Sequence, residues 1–189
     1  MKKRLLAPQS VCLQVIDVQQ RLMAKITGAN EVGATVEFMV RCAKILGIPV
    51  IANTQYKKGL GPYVPNVEAV VADVPQIDKV EFNAAANGET ASFIDGLPKE
   101  VDTILLVGVE THICIYQTAM GLLDKNFGVW VVTDGVSSRN MDDHHAGLMR
   151  LQSMGVSVGP AEMLIYELLG KAGSLEFKEI LPLIVARDE

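Results

Sequence analysis

The sequence predicts an α/β fold, a three-layer αβα doubly wound sheet, mostly parallel, with about six strands. Three observations predict it. Short apolar runs recur along the chain, they are continuous rather than alternating, and amphipathic segments separate them. A continuous run suits a strand buried on both faces of a parallel sheet. Strand, helix and strand at this rhythm give right-handed βαβ units.

In chain order, Val11–Asp17 reads as the first strand. Val32, Val36, Val40 and Ala43 then fall at helical spacing, and Gly47-Ile-Pro49 stops that helix. Pro49–Thr54 is the second strand. Gly59, Gly61, Pro62 and Pro65 punctuate residues 55–74, which read as a long surface loop of the kind that often carries function. Gln76–Val80 is a short strand and Thr103–Gly108 a long one. A helix is expected over 111–125, ended by Asn126-Phe-Gly128, then a strand at Val129–Thr133. A helix over 142–154 ends at Gly155, Val156–Val158 forms a last strand, and two helices cover 161–169 and 174–183. No repeat or linker interrupts this order, so residues 1–189 read as one domain.

Composition narrows the function. With 189 residues, 49% hydrophobic and 21% charged, the chain is long and apolar enough to bury a core. The net charge is −5, and only Met1-Lys2-Lys3-Arg4 is locally basic, so neither nucleic acid nor an anionic membrane is an expected partner. The apolar stretch from Val11 to Val18 is interrupted by Gln14 and Asp17, far short of the roughly 20 residues of a membrane span. No long apolar run follows the charged first residues, so no secretory signal is expected. Three widely spaced cysteines, Cys12, Cys42 and Cys114, argue for a reducing compartment, and the expected location is cytoplasmic. Neither Cys-x-x-Cys nor His-x-x-x-His occurs, so no structural zinc site is expected.

Ligands of an open α/β sheet bind beyond the carboxyl ends of the strands. Asp17, Lys79 and Cys114 all stand there, an acid, a cation and a thiol on one rim. A helix start and a nearby cation both favour the thiolate. A carboxylate at Asp17 suits the transfer of the thiol proton to a leaving group, and backbone N–H groups at the helix start suit an oxyanion. Cys12 and Cys42, inside a strand and a helix, read as small buried hydrophobes. Asp134 reads as a cap or loop support. His144 and His145 read as solvated or capping.

The motifs go further than position. Asp17-Val-Gln19 after an apolar strand, Lys79-Val-Glu-Phe-Asn83, and Gly108-Val-Glu-Thr-His-Ile-Cys114 followed by Thr118-Ala119 occur in that order. Together with Asp134-Gly-Val-Ser-Ser-Arg139 and Gly155-Val-Ser-Val158 they resemble the isochorismatase-like cysteine hydrolase superfamily. Asn53-Thr-Gln-Tyr56 with Gly59-Leu-Gly61 resembles its isochorismatase-domain-containing branch.

The resemblance implies an Asp–Lys–Cys triad at Asp17, Lys79 and Cys114, with Cys114 attacking a carbonyl carbon to form a thioester. It implies a cis peptide between Val109 and Glu110, aiming the Glu110 and Cys114 N–H groups at the oxyanion. It implies a homo-oligomer, and the apolar C-terminal helices agree. Nicotinamidases of this superfamily hold a metal through an Asp-x-His pair and a further His, yet residues 53–74 contain no His. The expectation is a metal-independent, cofactor-free hydrolase of a small amide or other C–N substrate. Pocket-lining candidates are Gln19, Tyr56, Phe82, Asn83, Glu110 and Ile115. Glu81 has two readings, pairing with Lys79 or facing solvent, and His112 has two, lining the site or capping the helix. A small-molecule binding protein on a hydrolase scaffold is the alternative, with redox sensing by Cys114 a third reading.

Overall fold

The computed structural model describes residues 5–187; the basic Met1–Arg4 segment lies outside them. In chain order the elements are β1 (Val11–Ile16), α1 (Gln20–Met23), α2 (Ala29–Ile45), β2 (Val50–Gln55), α3 (Lys57–Leu60), α4 (Pro65–Val71), β3 (Gln76–Lys79), α5 (Gly88–Asp95), β4 (Thr103–Val109), α6 (Tyr116–Asp124), β5 (Gly128–Ser137), α7 (Met141–Ser153), β6 (Ser157–Gly159), α8 (Ala161–Leu169) and α9 (Leu175–Val185).

The strands form one sheet in the order β3-β2-β1-β4-β5-β6, and every neighbouring pair is parallel. Every residue of β1 is buried, as its continuous apolar run requires. Val11, Leu13 and Val15 face a core shared with α2, α4, α8 and α9, where Val36, Val67, Leu164 and Ile180 pack. Cys12 and Ile16 face the opposite core with Ile94 of α5, Leu122 of α6 and Leu151 of α7. The sheet grows outward in both directions from the β1–β4 pair. The crevice beyond their carboxyl ends is therefore the topological switch point.

Several elements differ from the sequence reading; α1 was not expected, and β5 runs to Ser137, four residues past the expected Thr133, so Asp134 lies within it. Residues 55–74 are not one loop, because Pro65 starts α4 at a position where its missing N–H costs nothing. Val67 and Val71 of α4 are fully buried. Helix α5 was not expected. It buries only Thr90 and Ile94, too few for a visible period, and starts instead at an Asn87 cap that accepts from Thr90 N at 3.2 Å. The helix expected over 111–125 is divided into a turn of π-helix at Thr111–Ile115 and then α6.

At Gly108, β4 lies tight against β1. Its φ is +118°, and a Cβ there would lie 1.9 Å from the Ile16 carbonyl oxygen. Gly108→Ala is expected to lower stability by about 2–3 kcal/mol in urea unfolding. An unchanged midpoint would show that β1 and β4 can separate without loss.

Candidate active site

Asp17 leaves β1 in a left-handed conformation, φ +57°. Its N–H donates to the Asn53 carbonyl at 2.9 Å, fixing the turn against β2. Lys79 ends β3, where alternation sends Ile77 and Lys79 inward and Gln76 and Asp78 outward. The Lys79 Nζ donates to Asp17 Oδ2 at 2.8 Å, and both side chains are 0% exposed. Cys114 lies in the π-helical turn after β4 and is 7% exposed. Its thiol lies within electrostatic reach of Asp17 and Lys79, and Asp17 Oδ1 is buried with no hydrogen-bond partner among the described residues. Three side chains from β1, β3 and the β4–α6 connection thus meet at the switch point.

The electrostatics depart from the sequence reading. Burial pushes the Cys114 thiol up, the Asp17 charge pushes it further, and the pull of Lys79 and the Glu110 N–H does not offset them. No preformed thiolate results. Burial also raises Asp17, against the charge and the hydrogen bond of Lys79. Burial thus disfavours the charged form of both groups. Cys12 and Cys42 are buried in the two cores, and burial pushes each up to about 12.

The Val109–Glu110 peptide is cis. The Glu110 N–H is directed at the Cys114 sulfur. The Glu110 carboxylate points elsewhere, accepting from Arg139 N at 2.9 Å and Arg139 Nε at 3.1 Å. It anchors the chain after β5.

Three further pocket candidates make contacts with backbone or core. The Gln19 amide is used up on backbone: Nε2 donates to Gly61 O at 2.8 Å and Gln55 O at 3.2 Å, and Oε1 accepts from Gln55 N at 2.7 Å. Asn83 Oδ1 accepts from Ala85 N at 2.9 Å, and its amide packs so tightly on Gly121 that a Cβ there would clash. Ile115 is fully buried in the core under α6. Tyr56 and Phe82 are half-exposed on the segments flanking Lys79, the Tyr56 ring lying against Gly59.

Of the histidines, His112 bonds Ser138 Oγ through Nδ1 at 2.9 Å. His144 is not solvated; it is buried and meets Thr111 Oγ1 at 2.8 Å, bracing the turn that carries Cys114. Burial and the neighbouring His145 charge hold its pKa below the ordinary value. Glu81 pairs with Asn87 Nδ2 at 3.1 Å, not with Lys79. Asp134 accepts from Ala161 N at the start of α8 and pairs with Arg187, as the capping reading expects. Among the described residues, no three His, Cys, Asp or Glu side chains are grouped to hold a metal ion. Nor is any of their helices long and apolar enough to cross a membrane.

One residue escaped the sequence reading. Gln55 Oε1 accepts from Lys79 Nζ at 2.6 Å. The signal was its place at the end of β2, but only the strand register reveals that it lies beside Lys79.

Known proteins share this arrangement of elements. The isochorismatase domain model matches residues 11–163. The secreted isochorismatase effector Isc1 of Phytophthora sojae is 35% identical, over 95% of this chain and 86% of that protein. Isochorismatase domain-containing protein 2 of Xenopus laevis is 34% identical, over 95% of this chain and 86% of its own. The solved structure of the MAR1 ribonuclease from Caenorhabditis elegans superposes with a TM-score of 0.89 at 33% identity, over 96% of this chain and 93% of that one. The chain belongs to the isochorismatase family.

Proposed function

We propose that the protein is a metal-independent cysteine hydrolase of a small amide or other C–N substrate, acting through a thioester acyl-enzyme. The observation that carries this reading is the fully buried Lys79–Asp17 ion pair, with the Cys114 thiol in its electrostatic field. In the mechanism, Cys114 sulfur attacks the carbonyl carbon as its proton passes to Asp17. The Glu110 and Cys114 N–H groups hold the oxyanion. Collapse breaks the C–N bond, and protonated Asp17 gives its proton to the departing amine. Water then attacks the thioester, Asp17 takes its proton, and the proton returns to sulfur as the acid leaves. Lys79 stays charged throughout and steadies the Asp17 carboxylate.

The chemistry needs a reduced thiol, which suits the cytoplasm. Met163, Tyr166, Leu175 and Val185, exposed on α8 and α9, favour a homo-oligomer.

Purified wild type, Cys114→Ala and Cys114→Ser are to be assayed on a panel of primary amides and carbamoyl amines, with mass spectrometry for an acyl adduct on Cys114. Both substitutions are expected to lower turnover by at least about 10³-fold. Turnover that survives Cys114→Ala would remove the nucleophile from the mechanism. Absence of turnover, with ligand binding that survives Cys114→Ala, would support the binding-protein reading instead. RNA belongs on the panel because the C. elegans relative bears the name ribonuclease. A net charge of −5 and a buried sulfur favour a small substrate over a polyanion here.

A further inference from the structure

Lys79 has a second partner whose geometry is over-determined. Its Nζ donates to Gln55 Oε1 at 2.6 Å, while Gln55 Nε2 donates to the Val80 carbonyl at 2.8 Å. Only one orientation of the Gln55 amide satisfies both. A flipped amide would set NH₂ against an ammonium and a carbonyl against a carbonyl. The backbone on which this amide rides is held as firmly, because Gln19 accepts from Gln55 N and donates to Gln55 O. Gln19 also donates to Gly61 O, so the same clamp includes the chain between α3 and α4.

The neutrality of Gln55 matters as much as its reach. Lys79 is a buried ammonium with one carboxylate neighbour. An acceptor without charge holds it in place and leaves its positive charge undivided for Asp17 and for sulfur as charge develops there. A second carboxylate would divide it.

We infer that Gln55 is a positioning residue, a neutral anchor that aims the Lys79 ammonium at Asp17 and Cys114, with Gln19 holding it from behind. The inference rests on the proposed roles of Asp17, Lys79 and Cys114. It adds a specificity to them: the position beside Lys79 must accept a hydrogen bond without carrying a charge.

The test needs no substrate. The folded protein is exposed to iodoacetamide, and alkylation of Cys114 is followed by mass spectrometry between about pH 6 and pH 9 for wild type, Gln55→Glu, Gln55→Met and Asp17→Asn. Beside the Lys79 ammonium the carboxyl introduced by Gln55→Glu is ionised across this range, so it cannot donate to the Val80 carbonyl and it places an anion on Lys79. Gln55→Glu is therefore expected to be alkylated about tenfold more slowly than wild type at every pH. Gln55→Met keeps the length but neither hydrogen bond, and should slow alkylation by about threefold or more at every pH.

A purely structural role for Gln55 would leave Gln55→Glu no slower than Gln55→Met, and that result overturns the inference. If Gln55→Glu does not fold, an unchanged rate in Gln55→Met overturns it instead. Asp17→Asn separates the two levels. It is expected to speed alkylation by removing the negative charge beside the sulfur. If it does, a Gln55→Glu rate no lower than that of Gln55→Met sinks the Gln55 role alone. If it does not, the Asp17–Cys114 pairing fails and the role of Gln55 fails with it.

Discussion

Lys79→Met is expected to lower stability by about 3–5 kcal/mol, as befits the loss of one partner from a fully buried ion pair. Methionine fills much the same volume, so the penalty is electrostatic rather than a cavity. The Asp17 carboxylate would lose the neighbour that holds its pKa down, while burial continues to push it up. Asp17 then tends to be protonated in the folded state and ionised in the unfolded one. A carboxyl whose folded pKa is raised binds more protons folded than unfolded. Its contribution is therefore retained below the unfolded value and lost as pH rises through the folded one. The deficit in Lys79→Met should widen from acid toward neutral pH. Urea unfolding at several pH values measures this, and a deficit that does not change with pH would contradict it.

Asp17→Asn is expected to lower turnover by about 10²–10⁴-fold, the usual worth of a general acid–base. It should at the same time make Cys114 more reactive toward iodoacetamide. The two effects run in opposite directions because the carboxylate does two things. It accepts the thiol proton during the reaction, and at rest its charge discourages the thiolate. Asparagine removes both, leaving Lys79 as the charge facing the sulfur. In the wild type, Asp17 must be ionised to act as base. Its raised pKa puts the acidic limb of the turnover profile above the ordinary carboxylate value of 3.8. Slower alkylation in Asp17→Asn would mean that the carboxylate promotes the resting thiolate, contrary to the electrostatics described above.

The strands were legible because burial on both faces demands uninterrupted apolar runs, as in Val11–Ile16 and Thr103–Val109. Helix α5 was not, since its evidence is one cap and two buried residues. Pro65 misled because proline opens helices as readily as it punctuates loops. Asp17, Lys79 and Cys114 were found from strand ends and motifs. The state of the thiol was not, because a sequence displays Lys79 as a nearby cation and conceals the dehydration that outweighs it. Gln19, Asn83 and Ile115 show the limit of adjacency. Each sits within four residues of Asp17, Lys79 or Cys114 in sequence, yet its side chain serves backbone or core. Gln55 shows the converse, a contact written only in the pairing of β2 with β3.

The burial of all three cysteines has a use beyond catalysis. Cys12 sits in β1, Cys42 in α2 and Cys114 beyond β4, so the trio samples both cores and the switch point. Each is less acidic folded than as a free thiol. Pulse labelling therefore makes the chain its own opening gauge. The order in which the three sulfurs become labelled in mild denaturant would reveal which layer of the sandwich loosens first.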